Sequence, residues 1–166
     1  VRIIVPFSPG GAPDIVARII AQKLTEIWDQ TIVVDNRAGA GGNIGGELAA
    51  KATPDGYTLF MPSGSVVTAN QHMYKKLNWN PEKDLVAITN VASGPQIVAV
   101  NPSFAAKSIK ELIALAKAKP GAINFGSAGI GTQTHLAAEN FAYSADINVV
   151  HVPYKGEGPA LVDLVA

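Results

Sequence analysis

Short β-branched apolar runs alternate with helical patterns along the whole chain. Arg2-Ile3-Ile4-Val5-Pro6-Phe7 reads as a buried strand, and Ser8-Pro9-Gly10-Gly11 as the turn that follows it. A helix is expected from about Pro13, because proline is tolerated in a first turn and Asp14 complements the positive end of the dipole. Its apolar face is Val16, Ile20, Leu24 and Ile27. Strands are next expected at 31–35 and 57–61, separated by the loop Asn36–Gly42 and a small-residue helix from Ile44 to Ala52. A helix around 66–76, a polar segment at 78–84 and strands near 85–92 and 96–100 follow. Ser108 and Glu111 have capping-box spacing, opening a helix that stops at Pro120-Gly121. The last units are a strand at 123–126, a glycine-rich loop at Ser127–Gly131, a helix at 133–143 and a strand at 147–152. The loop Tyr154–Glu157 then leads to a helix opened by Pro159.

This order predicts an α/β fold with mainly parallel sheets flanked by helices. Ligands in such folds sit beyond the carboxyl ends of the strands, where the glycine- and serine-bearing loops fall. Asn101-Pro102-Ser103 reads as a crossing between two sheets. The strands at 2–7, 31–35 and 57–61 are therefore expected in one sheet, and those at 123–126 and 147–152 in another.

With 166 residues, the chain is long enough to bury a core. Its 13 Lys+Arg balance 13 Asp+Glu, which argues against nucleic-acid binding; Lys75-Lys76, the one adjacent basic pair, reads as a solvated helix face. No apolar run approaches the ~18 residues of a membrane span, so the chain is not expected to insert in a membrane. The absence of cysteine excludes disulfides, thiolate zinc sites and cysteine nucleophiles.

Several chemical motifs fail on spacing. Gly39, Gly41 and Gly45 do not follow the first strand and miss the dinucleotide fingerprint by one residue; Gly129-Ile130-Gly131 is shorter still. No P-loop lysine follows either stretch, and no cofactor is expected. Ser127 lacks the glycine that a nucleophile elbow needs two residues earlier, since Phe125 stands there. His72, His135 and His151 have no paired-ligand spacing, and no metal is expected. Asn78, Asn80, Glu82 and Asp84 lack the glycine and terminal glutamate of a calcium loop. What remains is a set of donor-rich loops leading into helix starts: Ser8–Gly11, Ser127–Thr134 and Tyr154–Pro159. Ser63, Ser65, Ser127, Thr132 and Thr134 add hydroxyls near the same edge. Exposed first-turn N–H groups attract anions, and three such loops on one edge point to a site built from neutral donors.

The segments Ile4-Val5-Pro6-Phe7-Ser8-Pro9-Gly10-Gly11 with Asp14 and Arg18, Val34–Gly45, Pro54–Leu59, Ser127–Gly131 with His135-Leu136, and His151–Gly156 with Pro159-Ala160 occur in order. Together they resemble the tripartite tricarboxylate transporter (TctC) substrate-binding proteins, extracytoplasmic solute receptors also called Bug proteins. The resemblance covers essentially the whole chain. It implies a type II periplasmic binding protein-like fold, a Venus flytrap whose two lobes close on a small carboxylated molecule such as a dicarboxylate, amino acid or aromatic acid. It also implies periplasmic location and delivery of the ligand to a membrane permease. On this pattern the ligand meets Phe7, Ser8, Pro9, Gly10, Gly11 and Asp14 from the first lobe and Ser127, Gly129, Gly131, Thr132 and Thr134 from the second. Ser63, Ser65, Tyr154 and Gly156 complete the cleft. The lobes would be residues 1–99, lacking the later return of the chain, and 100–166, a partial second lobe; family members are longer, so a fragment of a longer polypeptide is expected. Two departures stand out: Ala12-Pro13 removes a hydroxyl common in relatives, and Trp28-Asp29 removes the glycine that usually ends the first helix. Two other functions stay open at this stage: a ligand sensor for a signalling system, and an enzyme acting on a carboxylated substrate. For the enzyme, no nucleophile–base pair is visible in the sequence.

Overall fold

A computed structural model describes residues 1–166. Two parallel sheets organise the chain. In the first, β1 (Arg2–Val5) lies between β2 (Val33–Asn36) and β3 (Thr58–Phe60), giving the order β2-β1-β3. Arg2 is in register with Val33 on one side and Thr58 on the other. The second sheet pairs β4 (Asn124–Ser127) with β5 (Val150–Pro153), Phe125 standing opposite His151. The five strands thus divide three and two, as the alternation predicts.

Pro6 ends the first strand early, since it has no N–H for the ladder. The carbonyls of Ile4 and Val5 still accept from Met61 N–H and Arg37 N–H, at 2.9 and 2.8 Å. Helix α1 (Ala12–Trp28) covers this sheet. Ala17 and Ala21 are its buried contacts and join Ile3, Val5 and Ile32 in one core cluster. These small residues bring the helix backbone close to the strands, which leaves Val16 and Ile20 half-buried and Ile27 70% exposed. The expected face of Val16, Ile20, Leu24 and Ile27 is therefore rotated. Asp29 replaces the usual terminal glycine and takes the left-handed conformation itself, at φ 51°.

Helix α2 (Asn43–Ala50) follows a short 3-10 turn at Ala40–Gly42. The helix expected around 66–76 is instead two short ones, α3 (Gly64–Thr68) and α4 (Asn70–Met73), so Lys75-Lys76 is exposed but not helical. The polar segment forms α5 (Pro81–Asp84), where Asn80 Oδ1 caps the N–H groups of Glu82 and Lys83. Here the alternate oxygens serve a helix cap. The strands expected near 85–92 and 96–100 are absent. Residues 86–100 carry no regular structure and are exposed, with Val86 at 91% and Ile97 at 89%. A β-branched run needs a neighbouring strand to satisfy its ladder, and neither sheet pairs with it here.

Helix α6 (Ile109–Ala118) has the expected cap: Glu111 N–H donates to Ser108 Oγ at 3.2 Å. The Glu111 carboxylate reaches back to Lys107 N–H at 2.7 Å. Asn101 ties the crossing to the end of the chain, its Nδ2 donating to Leu164 O at 2.8 Å. Helices α7 (Gln133–Ala145) and α8 (Glu157–Val165) complete the second layer. A second core cluster, Phe7, Val66, Trp79 and Ala128, joins residues following strands of both sheets.

Candidate functional site

The loops after β1, β4 and β5 meet at the carboxyl ends of the strands. Ser8 donates twice to Lys155 O, from its N–H and from Oγ, each at 3.0 Å. Gly156 makes this approach possible. It has φ +150°, and a Cβ there would stand 2.9 Å from Ser8 N. Pro9 O packs against Gly158, and the N-termini of α1 and α8 abut: a Cβ on Gly11 would be 3.6 Å from Glu157 N. Ala12 N–H donates to Glu157 Oε2 at 2.8 Å.

Asp14 does not face the opposing loop. It is 3% exposed, accepts from Gly10 N–H and Asn36 Nδ2 at 3.0 Å, and pairs with Arg18. Burial opposes its charge, but the bonds from Arg18, Gly10 and Asn36 outweigh that and hold its carboxyl below the usual aspartate value. Asp14 therefore shapes the first loop. Phe7 is buried in the second core cluster, and its carbonyl accepts from Asn36 Nδ2.

The loop after β4 is laced internally. Ser127 Oγ lies 2.6 Å from His151 Nε2 and accepts from Gly129 N–H at 3.1 Å. Thr132 caps α7 and donates to Gly129 O at 2.7 Å; Thr134 Oγ1 accepts from Ala128 N–H. Gly131 N–H donates to His135 Nδ1 at 3.3 Å. The N–H groups of Gln133 and Thr134, in the first turn of α7, have no intrahelical acceptor. Across from them, Ser63 opens α3 with its Oγ 3.2 Å from that of the buried Ser65, and a Cβ on Gly64 would lie 3.1 Å from Gln133 Nε2. A second bridge is made by Tyr74, whose hydroxyl donates to Ile130 O at 3.0 Å. Gly41 sits beneath that carbonyl, held by Asn70 Nδ2 donating to Gly41 O at 3.0 Å. Tyr154 points elsewhere: its hydroxyl donates to Asp163 on α8 at 2.6 Å, while its N–H donates to Ser127 O.

Helix starts from both sheets thus converge on one edge, with no cationic side chain inside the loops Phe7–Asp14 or Ser127–Thr134. No cluster of metal-ligating side chains occurs, and no helix is long and apolar enough to cross a membrane. A profile described as "Tripartite tricarboxylate transporter family receptor" matches residues 16–166. The chain belongs to this TctC receptor family.

Among TctC-type relatives, the chain is 42% identical over 163 residues to a UPF0065 protein in the tcbD-tcbE intergenic region of Pseudomonas sp. strain P51, covering 98% of this chain and 48% of that protein. It is 40% identical over 166 residues to BugT of Bordetella pertussis, covering 99% and 51%. The chain spans about half the length of the curated relatives it matches. Of solved structures, a periplasmic transporter superposes with TM-score 0.95 at 44% identity, and an R. palustris protein with adipate with 0.95 at 34%; each match covers 99% of this chain and 55% of the other. MatC from Rhodopseudomonas palustris with bound malate gives 0.89 at 28%, covering 99% and 56%. The fold is thus periplasmic binding protein-like.

Two features of this TctC-family chain escape the sequence reading. His135 and His151 stack at 4.1 Å between ring centroids, with Phe125 4.8 Å from His151. Ser127 and His151 do form a hydroxyl–imidazole pair, contrary to the expectation of none. Ser127 is only 2% exposed, so the pair is closed to an incoming carbonyl. The second is the reach of Glu157 to α1. An acidic residue at a helix start ordinarily signals that helix's own dipole, so its sequence position gives no hint of a partner 145 residues away.

Proposed function

We propose that the protein is a periplasmic solute-binding receptor that captures a small carboxylated molecule and passes it to the permease of a tripartite tricarboxylate-type transporter. The lobes are residues 1–99 and 100–166, and the ligand sits between them. The observation that carries the reading is the convergence of helix N-termini from both sheets on one edge. First-turn N–H groups suit a carboxylate, and neutral donors hold an anion without the desolvation cost of burying a cation beside it. Adipate and malate in two solved relatives support the same ligand class.

In this reading Gln133 and Thr134 N–H groups bind from the second lobe, and the Ser63 hydroxyl and the Ser8–Ala12 loop from the first. The laced hydroxyls of Ser127, Thr132 and Thr134 fix the second loop, and Asp14 fixes the first. The protein binds and releases its ligand without changing it. A thermal-shift screen of the full-length protein against mono- and dicarboxylates, amino acids and aromatic acids tests the ligand class, because a ligand of the native state raises the melting temperature. Uptake of the best ligand by cells with and without this receptor tests delivery. Stabilisation by sugars or cations and by no carboxylate would refute the reading.

A further inference from the structure

Glu157 opens α8, yet its carboxylate serves the other lobe. Helix α1 has no side-chain cap, since its N-cap is Gly11, and Pro13 in its first turn has no N–H. Ala12 N–H is therefore one of few donors at this helix start, and Glu157 Oε2 takes it at 2.8 Å. Two other donors of the same loop are engaged within the protein, Ser8 by Lys155 O and Gly10 by Asp14. Gly11 leaves a space with little to spare: a Cβ there would lie 3.0 Å from Glu157 Oε2. The start of α1 is a seat for one carboxylate, and the protein's own carboxylate fills it.

We propose that Glu157 is a built-in competitor of the ligand: it holds the two lobes together when no ligand is bound, and a carboxylated ligand must displace it from the start of α1. This rests on the reading that the first loop receives a ligand carboxylate. Two consequences follow from the geometry. The contact joins α8 to α1, so it exists only while the lobes are together, and it biases the unliganded protein toward that state. It also sharpens selection, because a charged oxygen accepts from N–H more strongly than a neutral hydroxyl or amide does. Only a ligand carrying a carboxylate replaces Glu157 on equal terms.

The test uses the full-length protein as wild type, Glu157→Gln and Glu157→Ala. Each is titrated with adipate and with malate by calorimetry, and its unliganded radius of gyration is measured by small-angle X-ray scattering. Removal of the competitor should tighten binding of at least one diacid by about fivefold or more, the low end of ordinary coupling between linked equilibria. Glu157→Gln, which keeps a neutral acceptor, should fall between. Unliganded Glu157→Ala should also be more expanded than wild type. Equal or weaker binding by Glu157→Ala would overturn the proposal and make Glu157 a strut retained in the liganded form. If neither diacid binds any of the three proteins, the carboxylate-receptor reading has failed for these ligands, and scattering alone decides the lobe-holding role. An unchanged radius would then overturn that as well.

Discussion

Ser127 Oγ lies 2.6 Å from His151 Nε2, a contact between residues 24 apart that the parallel register of β4 and β5 creates. His151 is held below the usual histidine value by burial and by the adjacent His135, with Glu139 opposing the shift. His135 and Glu139 both come from α7, which packs over this face. The neutral imidazole is therefore the form that the fold favours. Since its value is lowered on folding, the unfolded chain takes up the proton first as pH falls below about 6.5. Stability should decline from pH 7 toward pH 5, and His151→Gln should flatten that slope in thermal melts. An equal slope in the variant would remove His151 as its source.

Asp14 titrates in the same direction but lower. Its carboxyl is held below the ordinary value, so its contribution is present above about pH 4 and fades as pH falls through its folded value. Asp14→Ala should destabilise by roughly 1–3 kcal/mol, because it leaves Gly10 N–H and one of the two N–H groups of Asn36 Nδ2 without an acceptor in a part-buried site, the other still donating to Phe7 O. Urea denaturation of the variant checks this. Binding should weaken too, as the first loop loses its internal brace.

Gly41 is the tightest approach between the loops, with φ +60° and a hypothetical Cβ 2.3 Å from Ile130 O. Gly41→Ala should lower ligand affinity about fivefold or more through strain of roughly 1–3 kcal/mol where the two loops meet. Calorimetry reads the loss directly. Unchanged affinity would mean that the 39–43 and 127–131 loops need not touch for binding.

Arg37 provides a contrast. It pairs at 2.8 Å with Asp35 of β2 and belongs to neither the Phe7–Asp14 nor the Ser127–Thr134 loop. Arg37→Ala should change affinity less than a bulky residue at Gly11, which would press on Glu157 and fill the start of α1. The reverse order in a calorimetric comparison would place the anion site elsewhere.

The sequence reveals periodicity more readily than partnership. Ile3-Ile4-Val5 and Ile32-Val33-Val34 read as strands, and Ile3–Val5 and Val33-Val34 are paired, because each run finds a parallel neighbour. Val86, Ile88, Ile97 and Val98 have the same β-branched character and remain exposed, since a run encodes the capacity to pair but not the strand that accepts it. The capping box at Ser108 is local and fully legible. The site is legible as loops but not as contacts: Ser8 with Lys155, Tyr74 with Ile130 and Glu157 with Ala12 all depend on how two sheets face each other. Ile27 shows the same limit on a helix, where the small residues Ala17 and Ala21, not the largest apolar ones, set the packing face.

Calorimetric titration of the full-length protein with adipate, malate and their diamides tests most directly whether a carboxylate is what the converging helix starts bind. The expected result is saturable binding of at least one diacid and none of its diamide, because N–H donors at helix starts favour a charged acceptor. Binding of diacid and diamide with equal affinity, or of the diamide alone, would contradict it.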